Sequence, residues 1–239
     1  MNATIKLLTL ALAVTGAHWN ARAASIPFGP PSGNTYTASW SGSQAIPDNN
    51  GSGLAFDLNF NDPNAVVITD LNVTFTISGG FNGDLFAYLA HGDSFTVLLN
   101  RLGRSDSNPD GSATSGFSTS SFTIGTPYSP DVHLASGNTG QLLTGNYAPD
   151  GRDLPPSSSG LAFDGATRNA TFTTLLGDNP NGSWTLFFAD VSPGSSGTIS
   201  AVTVGVGAIP EPATVVLLFA LGAIFGAVRR VRLLRRVAA

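Results

Sequence analysis

The chain has 239 residues, a formal net charge of −4, no cysteine and only 11% charged side chains. The lack of cysteine excludes disulfide staples, thiol chemistry and a cysteine-ligated zinc site. Between Ala24 and Ala208 stand four arginines, no lysine and fourteen aspartates, so this stretch carries a charge near −10 (four against fourteen). Such a surface repels nucleic acid and anionic polysaccharide and favours divalent cations or neutral partners.

At the N-terminus Lys6 precedes an apolar run, Leu7–Ala17, and Ala21-Arg22-Ala23 supplies small residues at a cleavage site. This pattern predicts a secretory signal peptide over 1–23, removed by signal peptidase after Ala23, and a mature chain beginning at Ala24. Residues 24–45 are rich in Pro, Gly, Ser and Asn and are expected to be a loosely structured leading segment. The domain proper is expected over 46–207, opening with an anchoring turn at Ala45-Ile46-Pro47-Asp48.

Leu54–Phe60 alternates strictly, apolar on even numbers, and Asn61-Asp62-Pro63-Asn64 turns the chain. Leu71–Ser78 is the cleanest strand: Leu71, Val73, Phe75 and Ile77 take one face, Asn72, Thr74, Thr76 and Ser78 the other. After the turn Gly79–Gly83, the stretches Asp84–Ala90 and Phe95–Leu99 read as a strand pair. From Asn100 to Ala170 the signal weakens. Short strands are expected there near Ser118–Ile124 and Leu161–Phe163, with long loops between. Order returns at Ala170–Leu176, Ser183–Ala189 and Gly197–Gly207. Trp184, Leu186 and Phe188 share one strand face, which makes Trp184 a core residue. No stretch shows a helical period, so the fold class is all-β, a sandwich of two sheets.

Few residues carry chemistry. His18 leaves with the signal peptide, and His91 and His133 are expected to be loop residues, not general bases. There is no Gly-x-Ser-x-Gly turn, and a Ser–His–Asp triad needs a base held by an acid beside a strained nucleophile. No glutamate precedes Glu211, so glycosidase chemistry would need two aspartates with one pKa raised. No catalytic residue is assigned and the chain is expected to be no enzyme. Calcium is the one cofactor the residues suggest. Asp106-Ser-Asn108-Pro-Asp110-Gly111 reproduces the first half of a calcium loop, although Phe117 stands at the twelfth position where a bidentate Glu belongs. A solvated turn explains the same residues.

Three blocks in order suggest a family. The first is Val66–Ile77 followed by Gly83-Asp84-Leu85. The second is Gly145-Asn-Tyr147-Ala-Pro149, and the third is Asn179–Asp190 with the final run Gly197–Val206. Together they resemble the P domain (P/Homo B domain) of subtilisin-like proprotein convertases. The match spans about Ile46 to Val206, with Gly79-Gly80 where the family often has a histidine, and with about twenty residues, Gly151–Ala170, that look inserted. The resemblance implies a jelly-roll β-sandwich that stabilises a neighbouring protease without being catalytic. It also places Asp84 and Asp190 at the family's Gly-Asp-Leu and strand-end positions, where they would hold a cation or cap a turn.

The tail, 208–239, is organised differently. Pro210-Glu211-Pro212 leads into an uncharged apolar span, 213–228, and then Arg229, Arg230, Arg232, Arg235 and Arg236. A helix of that span reaches about 24 Å at 1.5 Å per residue, short of the roughly 30 Å hydrocarbon core but too apolar for water. The arginines orient it with its end in the cytoplasm. The three features in this order resemble the PEP-CTERM sorting tail of Gram-negative bacteria. The resemblance implies export across the inner membrane, a transmembrane sorting helix, and processing near Pro210–Pro212 by an exosortase. The expected function is that of a non-enzymatic protein of the cell surface or extracellular biofilm matrix, binding exopolysaccharide or surface proteins through the loops between Asn100 and Ala170. The alternative is an accessory P domain assisting a separate secreted serine protease.

Overall fold

A computed structural model describes residues 21–123 and 130–209. Its strands form two five-stranded sheets. Across the first lie β1 (Ala21–Pro27), β3 (Asn50–Phe60), β9 (Gly182–Asp190), β5 (Leu85–His91) and β6 (Ser94–Asn100). Across the second lie β2 (Thr35–Ala45), β10 (Gly197–Ile209), β4 (Val67–Gly79), β7 (Gly116–Thr123) and β8 (Asn146–Tyr147). Pairing is antiparallel except at two edges, where β1 joins β3 and β8 joins β7 in parallel.

The alternation in β4 is what packs the sheets together. Leu71, Val73, Phe75 and Ile77 are all buried while Asn72, Thr74 and Thr76 are only half-buried. Phe75 sits at the centre. It meets Phe188 of the facing sheet edge-on at 5.2 Å, stacks on Phe122 at 4.8 Å and takes Phe117 edge-on at 5.3 Å. Edge-on and offset pairs of this kind add about 0.5–1.5 kcal/mol each beyond the area they bury. A second apolar layer covers the outer face of the first sheet, where Phe86, Val97, Phe187 and Ala189 pack with Ala170.

Several expectations are corrected. The segment 24–45 is not loose, since β2 spans Thr35–Ala45 and pairs with β10 along most of its length. Its alternation is present in Tyr36, Ala38 and Trp40, but the small polar residues around them carry little hydrophobic signal. Leu161–Phe163 is not a strand but part of a short helix, Gly160–Asp164. Ser159 starts it by accepting from Ala162 N at 3.3 Å, which supplies an acceptor for one free helix N–H. Its first residue must be glycine, because a Cβ at 160 would enter the carbonyl of Ser105. Ala170–Leu176 contains a single 3₁₀ turn, Phe172–Thr174.

The ends of the sandwich bear on processing. Ala23 lies inside β1, whose ladder to β3 breaks register between Ala23 and Ile26. Cleavage there would remove 21–23 and keep the half that pairs with Leu58 and Asn59. At the other end β10 runs paired with β4 to its last residue, Ile209, whose carbonyl accepts from Val66 N at 3.1 Å. Proline at 210 has no N–H with which to extend that ladder. The bulk of the predicted signal peptide and the span 213–228 with its arginines lie outside the described residues. Among the described residues no helix is long and apolar enough to cross a membrane.

Candidate functional site

The weakly patterned region 100–170 builds a cleft at one end of the sandwich. Its volume is about 650 Å³, and its wall includes Arg104, Ser105, Asn108, Ser112, His133 and Arg152. Backbone bonds hold the walls. Arg101, at φ 50°, turns the chain out of β6, Gly103 N donates to His133 O at 2.9 Å, and Ser112 N donates to Leu102 O at 2.6 Å. The helix Gly160–Asp164 closes one side, and Asp164 accepts from Asp106 N at 2.9 Å. Asn108 ties the 103–111 loop by donating its amide to the carbonyls of Gly103 (3.0 Å) and Gly111 (2.9 Å).

Behind the cleft runs a buried ionic network. His133 Nδ1 lies 2.7 Å from Asp150 Oδ2, and Asp150 is fully buried. Nε2 of the same ring lies 3.1 Å from the carbonyl of Arg104. Both partners only accept, so the ring that makes both bonds carries both protons. Burial works against this charge, but the hydrogen bond and charge of Asp150 outweigh it and raise the His133 pKa above the ordinary value. Arg152 bridges Asp131 (2.9 Å) and Asp150 (3.2 Å). Arg168 reaches Asp131 at 3.5 Å and donates to the carbonyls of Asp150 (3.0 Å) and Pro149 (2.6 Å). Phe163 stacks on the imidazole at 5.6 Å, and Arg104 lies over that phenyl ring at 5.9 Å.

A second polar locus sits at the ends of β9 and β5. Asp190 is fully buried, with Oδ1 accepting from Ser192 N at 3.2 Å and Oδ2 lacking any partner. Asp84 is 8% exposed and has Arg101 at 3.5 Å. Burial, reinforced by the charges of Asp84 and Asp48, pushes Asp190 up to about 6. Asp84 is raised by its burial as well, against the hydrogen bond of Ser192 and the charge of Arg101. The folded state therefore holds a proton on Asp190 that the unfolded chain has already lost above pH 4. Stability contributed by that proton is complete below the unfolded pKa and is lost as pH rises through 6. Its size is on the order of 3 kcal/mol. Asp190→Asn is expected to flatten the fall in melting temperature between pH 4 and 7, leaving the smaller slope of Asp84. A wild-type curve flat over that range would contradict the assignment.

The sequence-predicted residues fall in several places. Asp106, Asn108 and Asp110 form an exposed turn beside the cleft, whereas Asp84, in the 3₁₀ turn just before β5, and Asp190, the last residue of β9, come together. Among the described residues no three acidic or histidine side chains converge on a common metal position. His91 and His133 are not free loop residues. His91 ends β5, stacks on Trp184 at 4.2 Å, and faces the carbonyls of Ser183 (3.0 Å) and Asn179 (2.7 Å). Trp184 is fully buried, as expected of a core residue, and donates to Pro180 O at 2.9 Å. The Asp131–His133–Asp150–Arg152–Arg168 network was not foreseen. The one hint available was that four arginines in so acidic a domain are rare enough to be paired.

Comparison with known proteins adds the tail. Residues 208–232 match the PEP-CTERM protein-sorting motif, so the chain carries that sorting signal. No curated protein matches the chain. Among solved structures, the crystal structure of the Aeromonas sobria serine protease (ASP) and chaperone (ORF2) complex is similar at 12% identity and a TM-score of 0.39. The match covers 74% of this chain and 26% of that one, and at this score it carries no argument.

Proposed function

We propose that this is an exported, non-enzymatic β-sandwich protein of the cell surface or extracellular matrix, sorted by an exosortase through its C-terminal tail. The observation that carries this reading is the sorting motif at 208–232. In the sequence that motif follows β10, which is described as far as Ile209. We further read the domain as a P-domain-like jelly roll. Leaving out β1 and β8, the other eight strands in chain order lie 1-8-3-6 in one sheet and 2-7-4-5 in the other, the order of two interlocked Greek keys.

The non-enzymatic reading is supported by the histidines, since both nitrogens of His91 and of His133 are already engaged. A general base needs one nitrogen within reach of a nucleophile. Binding through the cleft is then the role left to region 100–170. In a host with an exosortase, the natural chain is expected to lose the segment after 212 and leave the inner membrane. A chain with Pro210, Glu211 and Pro212 changed to alanine is expected to keep that segment and stay. Mass spectrometry of both fractions decides, and equal processing of the two chains would sink the sorting reading. Calcium binding is a proposal for the same domain. A rise in melting temperature with calcium that Asp190→Asn lacks would place the ion at Asp84 and Asp190, whereas loss in Asp110→Ala would place it in the 106–111 turn.

A further inference from the structure

The most exposed large apolar side chains gather at one end of the sandwich. Among the described residues Leu134 is 73% exposed, Leu161 68%, Leu142 42% and Phe81 38%. Phe81 follows β4, whose last residue, Gly79, pairs with Gly197, the first of β10. Leu142 precedes Leu143, whose N–H donates to Gly116 O at the start of β7, and Gly116 pairs with Ser78 of β4. Leu134 lines the cleft, and Leu161 stands on the helix that closes one side of it. From this end β10 runs to Ile209, about 40 Å away at about 3.3 Å per residue, so the four side chains are remote from the sorting motif. Single exposed leucines are ordinary, but their collection at one end, around a cleft, marks a contact surface.

The cleft continues this surface inward. Ala113, Ala135 and Phe163 join Leu134 in its wall, beside the backbone of Ser136 and Gly137. An extended peptide carries apolar side chains and amide groups together and matches such a wall. A lipid chain would leave the backbone groups without partners. The volume, about 650 Å³, is that of an ordinary ligand pocket and takes more than one side chain. Charge then decides between occupants. The cations behind the cleft are matched by Asp131 and Asp150, so the outermost charges are what a partner meets. Asp106, Asp110 and Asp164 are exposed there, against Arg104, which is half-buried over Phe163. A second copy would bring one acidic domain against another, and an anionic lipid surface is repelled in the same way. A basic segment is attracted.

We propose that this end of the domain docks an extended segment of a partner protein. Leucine-sized side chains of that segment enter the cleft and cover Leu134 and Leu161, while lysines or arginines beside them meet Asp106, Asp110 and Asp164. This inference rests on the reading of region 100–170 as a binding surface and names the chemistry of its partner. It is independent of tail processing, because Ile209 lies at the opposite end of β10.

The test holds the full chain in phosphatidylcholine nanodiscs and follows the fluorescence anisotropy of three labelled peptides. One alternates lysine and leucine, one lysine and serine, and one glutamate and leucine. The lysine–leucine peptide is expected to bind about tenfold or more tighter than either of the others. Leu134→Ser combined with Leu161→Ser is expected to weaken it by about tenfold or more, since the burial of one leucine is worth that much. Both side chains are exposed, so the melting temperature of this variant is expected to match that of the natural chain. Equal binding of the lysine–serine peptide would reduce the effect to charge and overturn the proposal. Equal binding of the glutamate–leucine peptide would keep a binding surface and overturn the basic partner. No binding of any peptide, or unchanged affinity in the double variant, overturns the docking surface itself. Nanodiscs that pair through this end, and cease to in the double variant, would make the occupant a second copy and overturn the proposal too.

Discussion

Asp150→Ala is expected to destabilise the domain by about 3–5 kcal/mol, the cost of stranding buried charges when one partner is removed. Asp150 is fully buried, and its two carboxylate oxygens face His133 Nδ1 at 2.7 Å and Arg152 at 3.2 Å. Without it, the His133 ring is nine-tenths enclosed with no counter-charge, and Arg152 keeps only Asp131. The pH dependence identifies the mechanism. In the natural chain Asp150 raises the His133 pKa against the effect of burial. The stability this pair contributes is therefore complete below the unfolded histidine pKa and is lost as pH rises through the folded one. In Asp150→Ala burial and the Arg152 charge favour the neutral ring against the hydrogen bond to the Arg104 carbonyl, so the His133 contribution reverses sign and rises with pH, on top of the Asp190 slope common to both chains. Urea denaturation at pH 5.5 and 8.5 measures both slopes. The same slope in both chains would show that His133 does not depend on Asp150.

Trp184→Ala is expected to cost a comparable amount, about 3–5 kcal/mol for emptying a large aromatic site in the core. The indole is fully buried on β9, donates to Pro180 O at 2.9 Å, and carries the His91 ring on its face at 4.2 Å. Phe28, from the chain just beyond β1, approaches it at 6.2 Å. Its removal leaves a cavity, a carbonyl without its donor, and a histidine without its stack. Trp184→Phe separates these effects. It keeps most of the volume and loses the hydrogen bond, so about 1–2 kcal/mol is expected. Trp40 still reports unfolding in both variants, since it packs on Phe56 at 5.1 Å. Equal destabilisation by the two changes would mean that the hydrogen bond, not the packing, dominates this site.

These two positions were unequally legible. Trp184 stands in an alternating run with Leu186 and Phe188, and a period of two with large apolar residues reports one-sided burial directly. Asp150 stands in a stretch of Pro, Gly and Ser without any period. Its partners are 17 residues away at His133 and two away at Arg152. Nothing local distinguishes it from the other aspartates. The helix Gly160–Asp164 was hidden for a related reason: five residues are too short for a helical period, and what holds it is the Ser159 cap and the fit of Gly160 against Ser105. β2 was missed because its small polar residues dilute the alternation that Tyr36, Ala38 and Trp40 carry.

From its sequence alone the chain could be read as an all-β domain with a buried Trp184 and a PEP-CTERM tail, because alternation, aromatic content and a charged apolar tail are local properties. Only the tertiary structure decided that three of the four arginines meet specific aspartates, that Asp84 and Asp190 come together, and that region 100–170 encloses a cleft. Charge pairing acts through space between residues far apart in the chain, in a low-dielectric setting that only folding creates. Local pattern therefore cannot announce it.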